Sequence, residues 1–155
     1  MSDKFLENAS YVFHILTFIA YFILLFILET PPAMQFLQYF GSLFFLGGVF
    51  FLISSIILLS RNNSGGLLQS GVYGVVRHPM YLGAILLFLA MVLYLPHWIM
   101  LILAVINIII IYHFMLAGEE SNIKKFGDEY RAYMAQIPRA NLVLGLIRWF
   151  KKNHL

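Results

Sequence analysis

From Met80 to Gly118 the chain carries no Asp, Glu, Lys or Arg, and Pro96 interrupts the run near its middle. A straight helix of that length, at about 1.5 Å per residue, would reach roughly twice the thickness of the ~30 Å hydrocarbon layer of a bilayer. The run therefore predicts a helical hairpin, with spans near 80–95 and 98–116 and an interfacial turn at Pro96-His97-Trp98. A hairpin returns the chain to the membrane face it left. Polar residues on either side of this one can therefore meet, although they are far apart in sequence.

Two more uncharged stretches, about 11–28 and 36–60, precede the hairpin. Glu29-Thr30-Pro31-Pro32 separates them, and its two prolines remove backbone donors and disfavour helix just before them. The 155 residues are 61% hydrophobic and 11% charged. Soluble domains average about 25% charged residues, and a chain this small has too little interior to hide so much apolar side chain from water. The expected fold is all-α: a single membrane-embedded unit over 1–155, a polytopic membrane protein with about four transmembrane helices plus a C-terminal amphipathic helix. That last helix is expected over 142–155, where Leu142, Leu146, Ile147, Trp149 and Phe150 stand among Arg148, Lys151 and Lys152.

Orientation follows from the basic residues. All of them lie before the first span, between the second and third, or after the fourth, which predicts cytoplasmic termini, a cytoplasmic loop over 61–78 and a cytoplasmic segment over 119–155. Residues 1–10 lack the basic and small-residue features of a cleaved signal peptide. Absence of cysteine excludes disulfides, thiolate nucleophiles and sulfur metal sites. No metal-ligand cluster, phosphate loop or nucleophilic triad is present in the sequence, so no metal is expected. The net charge of +3 sits mostly near the C-terminus, which suits membrane lipids with anionic head groups and not nucleic acid. Gly41, Gly48 and Ser55, seven residues apart, line one helix face, either as a close helix seam within one molecule or as a homodimer seam.

Two polar clusters flank the hairpin. The first is Gly71-x-Tyr73-x-x-x-Arg77-His78-Pro79-Met80-Tyr81-x-Gly83. The second is Glu119-Glu120, followed by Phe126-Gly127-x-x-Tyr130-x-x-Tyr133 and Pro138-Arg139. This ordered pair of motifs around a hydrophobic hairpin resembles the isoprenylcysteine carboxyl methyltransferase and phospholipid methyltransferase superfamily, over roughly residues 65–139.

The resemblance implies an integral membrane enzyme that binds S-adenosylmethionine without a Rossmann domain and methylates a lipophilic small molecule or lipid. Its cofactor-binding segment falls on Leu67 and Leu68 and continues through Tyr73, His78, Pro79, Met80 and Tyr81 to Glu119 and Glu120. In that reading an ionised Glu119 or Glu120 pairs with the cofactor's ammonium. His78 and N–H groups at the helix start receive its carboxylate, and Tyr73 and Tyr81 pack on the adenine or donate a hydroxyl. Pro79 suits the first helical turn, where no donor is needed. Arg77 and Arg139 are positioning candidates; no residue is assigned the chemical step, because methyl transfer needs alignment more than a base. The carboxyl methyltransferases that act on prenylcysteine place an arginine about one turn before the Glu pair. Here the stretch His113-Phe114-Met115-Leu116-Ala117 has none, which argues against a prenylcysteine acceptor.

Plainer roles stand beside these. Arg77, Lys124, Lys125, Arg131 and Arg139 suit juxtamembrane charges facing lipid head groups, and Tyr130 and Tyr133 suit packing. His14 and Asn107 suit an interhelical hydrogen bond within the membrane, and His97 an outer interface. Two other functions stay open: an NADPH-dependent reductase of the sterol type, and a non-enzymatic membrane scaffold.

Overall fold

The hairpin forms as α3 (Pro79–Tyr94) and α4 (Trp98–Phe126), broken at Leu95-Pro96-His97. The computed structural model describes residues 3–62 and 65–154. Asn63 and Ser64 of the expected loop over 61–78, Met1 and Ser2, and Leu155 at the end of the expected amphipathic helix lie outside the described residues. Before the hairpin come α1 (Asp3–Ile27) and α2 (Leu37–Arg61), and after it α5 (Asp128–Gln136) and α6 (Leu142–His154). Short 3₁₀ turns occupy Pro32–Met34 and Gly71–Gly74. No strand occurs among the described residues, and the all-α expectation is met.

Three helices, within α1, α2 and α4, are long and apolar enough to cross a membrane, and α3 is apolar but shorter. At about 1.5 Å per residue its 16 residues reach only ~24 Å, less than the ~30 Å hydrocarbon layer. α4 is the opposite case. Its polar end, expected to begin a separate segment at Glu119, continues the same helix without a break to Phe126.

α2 and α3 form the tightest pair, through the small-residue face read in the sequence. Gly41, Gly48 and Ser55 are all buried. A Cβ at Gly48 would lie 2.9 Å from the Gly83 carbonyl oxygen, and one at Gly83 would lie 2.8 Å from the Gly48 oxygen. The two backbones touch where neither residue has a side chain, so a homodimer through this face would have to displace α3 from its own molecule.

α1 joins the bundle through a polar node and an aromatic contact. His14 Nδ1 and Asn107 Oδ1 are hydrogen-bonded, and Asn107 Nδ2 donates to Thr17 Oγ1 at 3.1 Å. Phe18 packs on Phe88 of α3 with ring centroids 5.3 Å apart. Around these contacts Tyr21, Phe88, Met91, Met100, Ala104, Ile111 and Met115 form the main core. At the hairpin turn the His97 side chain accepts the Ile99 N–H at 3.3 Å and caps α4.

Candidate functional site

The turn Gly71–Gly74 and the extended residues after it lead into α3, and their backbone is bonded to the second motif. Arg77 N–H donates to Pro138 O at 3.0 Å, and His78 N–H donates to Arg139 O at 3.1 Å. Two consecutive backbone bonds thus join residues some sixty positions apart. Gly127 permits the return: with φ 58° and ψ −128° it takes a conformation that side chains disfavour, which ends α4 and turns the chain into α5. Asp128 and Glu129 then occupy the first turn of α5, where the helix dipole favours acids.

At this seam α4 delivers Glu119. Along α4 the buried residues are Met100, Ala104, Asn107, Ile111, Met115 and Glu119, so the carboxylate continues the stripe that faces the bundle. Glu119 Oε1 lies 3.0 Å from Arg77 Nη2, 3.2 Å from His78 Nε2 and 2.9 Å from Arg139 Nε; Oε2 lies 2.7 Å from Arg139 Nη2. Four protein contacts thus converge on Glu119, three on Oε1 and one on Oε2. Arg139 also donates to the Tyr112 hydroxyl at 2.8 Å, and its guanidinium lies against that ring.

Burial pushes the His78 imidazole below its ordinary pKa, Glu119 pulls it back up, and the two guanidiniums press it down again. His78 is therefore neutral at pH 7, donating to Glu119 in the tautomer that carries its proton on Nε2. Two guanidiniums against one carboxylate leave the cluster one positive charge. Arg77 is largely buried and its Nε has no hydrogen-bond partner. A buried donor left unpaired is costly.

Arg77 also lines a cavity of about 300 Å³. Its lining includes Leu67 and Leu68, the tyrosines Tyr73, Tyr130 and Tyr133, and Asn122, Lys125 and Phe126 of α4. Burial raises the pKa of all three tyrosines, so each is a neutral hydroxyl at physiological pH. The Tyr133 hydroxyl donates to Tyr73 O at 2.6 Å, which ties the first motif to α5.

The structure thus separates the residues read from the sequence. Leu67, Leu68, Tyr73 and Arg77 line the cavity; His78, Glu119 and Arg139 form the ion cluster joined to it through Arg77. Pro79 is buried at the first position of α3, and its fixed φ suits that place. Met80 is exposed and Tyr81 packs towards the main core; among the described residues neither stands in the cavity wall. Glu120 points outward and pairs with Lys124 at 2.6 Å. His78, expected with the N–H groups of the helix start to receive a carboxylate, has its backbone N–H bonded to Arg139 O and its Nε2 bonded to Glu119. The sequence reading did not single out Asn122 or Tyr112, and treated Lys125, Tyr130 and Tyr133 as surface charge or packing. Helical spacing from Glu119 would have found the first two, at three residues forward and seven back.

A family model described as phospholipid methyltransferase matches residues 17–128, which takes in the first motif, the hairpin and Glu119. No curated protein and no solved structure matches the chain.

Proposed function

Because the chain belongs to the phospholipid methyltransferase family, we propose that it transfers a methyl group from S-adenosylmethionine to a lipophilic acceptor at the cytoplasmic face of the membrane. The observation that carries this reading is the aromatic-walled cavity lined by Arg77, whose guanidinium also pairs with Glu119 of the ion cluster. When bound, S-adenosylmethionine would supply a sulfonium methyl group, whose carbon the acceptor's nucleophile attacks while S-adenosylhomocysteine departs as the thioether.

The residues fit that cofactor, with roles shifted from those the sequence suggested. Glu119 is engaged by two arginines, so its part is to hold Arg77 and Arg139 in place and not to meet an ammonium directly. Arg77 and Lys125 are the groups for a carboxylate, and the Asn122 side-chain amide offers an acceptor for an ammonium. Tyr73, Phe126, Tyr130 and Tyr133 give flat walls for an adenine. Arg139 and Tyr112 stand at the more exposed edge of the cluster, on the side where an acceptor would arrive from lipid. None of the buried tyrosines is ionised, so alignment and exclusion of water are what these residues contribute. The cytoplasmic placement rests on the basic residues clustering on the side that holds both motifs.

The test is incubation of the purified protein in nanodiscs with methyl-labelled S-adenosylmethionine and a bacterial or eukaryotic lipid extract. Label appearing in the organic phase, and absent with Arg77→Ala, is the expected result. A folded protein that labels no lipid from either extract argues against the proposal.

A further inference from the structure

Trp149 of α6 separates two recesses beside the segment that leads into Arg77. One, of about 440 Å³, is walled by Phe50 and Phe51 of α2, Val72 and Val75, and Leu146 and Trp149 of α6. Its walls are apolar, and Phe50 at its edge faces outward from a membrane-crossing helix. The other, of about 390 Å³, lies between Gly74, the C-terminal end of α5, and Arg148 and Lys151. No carboxylate lines either recess among the described residues.

The helix that carries both recesses is firmly seated. Asn141 Oδ1 accepts the Leu144 N–H at 3.0 Å at the start of α6, and Arg148 Nη1 donates to Gln136 O at 3.0 Å. A Cβ at Gly145 would stand only 2.2 Å from Val75 O, so the absence of a side chain sets how closely α6 meets this segment. Leu142 packs with Phe51, Val76 and Leu82 beneath it. On the outer side Val143, Ile147 and Phe150 are exposed, as on a helix lying in the membrane interface.

We infer that α6, α2 and the segment 71–75 bind one phospholipid of the surrounding bilayer, with an acyl chain in the apolar recess and its phosphate against Arg148 and Lys151. A recess bordering an apolar span is filled by hydrocarbon, because water gains nothing there. Cationic side chains across an interfacial Trp attract the negative head group. Apolar wall, indole and cation follow one another in the order of chain, glycerol region and phosphate. The site stands apart from the cofactor cavity and does not depend on the methyltransferase reading.

Native mass spectrometry of the full chain, released from micelles containing either phosphatidylglycerol or diacylglycerol with the same acyl chains, tests the inference. One retained phosphatidylglycerol is expected, with diacylglycerol retained less. Lys151→Gln should lower retention about fivefold, the effect of one basic residue near an anionic head group. Leu146→Trp, which fills the apolar recess, should abolish it at unchanged helix content. Equal retention of the two lipids, or retention unchanged by Lys151→Gln, overturns the inference. Lys151 is exposed, so that variant remains decisive even if Leu146→Trp disturbs folding.

Discussion

Glu119 and Glu120 are neighbours of the same chemistry in opposite circumstances. Glu119 is buried against Arg77, His78 and Arg139, whereas Glu120 lies on the outer face with Lys124. Removing one partner of a buried ion pair costs about 3–5 kcal/mol, because the remaining charges stay buried without compensation. Exposed pairs, screened by water, contribute little. Thermal unfolding in one detergent should therefore show a large loss for Glu119→Gln and almost none for Glu120→Gln. Equal effects would mean the cluster is not a structural element. The sequence could not separate the two glutamates, because the lipid-facing side of α4 is as apolar as its buried side and hydrophobic periodicity marks neither. His78 adds a pH dependence. Its folded pKa lies below the ordinary value of 6.5, so the unfolded chain takes up a proton first as pH falls. Its contribution to stability is full above about pH 6.5 and declines as pH falls towards the folded value. In His78→Gln that decline should be shallower in unfolding curves collected across the same interval.

At the scale of elements, the sequence was most informative where composition alone decides. The uncharged run with its central proline specified α3 and the start of α4 nearly to the residue, and the seven-residue spacing of Gly41, Gly48 and Ser55 marked a buried face of α2. It was least informative beyond Glu119. Polar composition there concealed both the continuation of α4 to Phe126 and the separate helix α5, whose buried face holds only Tyr130 and Tyr133. Nine residues with two inward tyrosines give too weak a period to distinguish from a loop. The α2–α3 contact yields a sharp expectation. Gly48→Ala brings a methyl group to 2.9 Å from backbone at Gly83, which cannot move aside as a flexible side chain would. Overpacking of this kind costs about 1–3 kcal/mol. Gly47→Ala meets only the Leu86 side chain at 3.6 Å and should be nearly neutral. Matching melting temperatures for the two variants would contradict the close backbone seam.

Across the whole molecule, a short helix and a long one set the depth of the site. α3 is shorter than the hydrocarbon layer and begins at the ion cluster, whereas α4 outruns the layer and carries Glu119 on its extension. The cluster consequently lies at one end of the apolar helices, beside the cavity that Arg77 lines and next to Tyr112, which Arg139 bonds. That the two motifs meet was legible from the hairpin; which residues would wall the cavity was not, since Asn122, Tyr130 and Tyr133 take their places only once Gly127 has turned the chain back. We propose that this cavity holds the methyl donor. Calorimetric titration of the protein in nanodiscs with S-adenosylhomocysteine tests it most directly, alongside Leu67→Trp to fill the cavity and Glu120→Gln as a surface control. One site per chain, lost in Leu67→Trp and retained in Glu120→Gln, is the predicted result. No binding to folded protein, or equal binding to the Leu67→Trp variant, would contradict it.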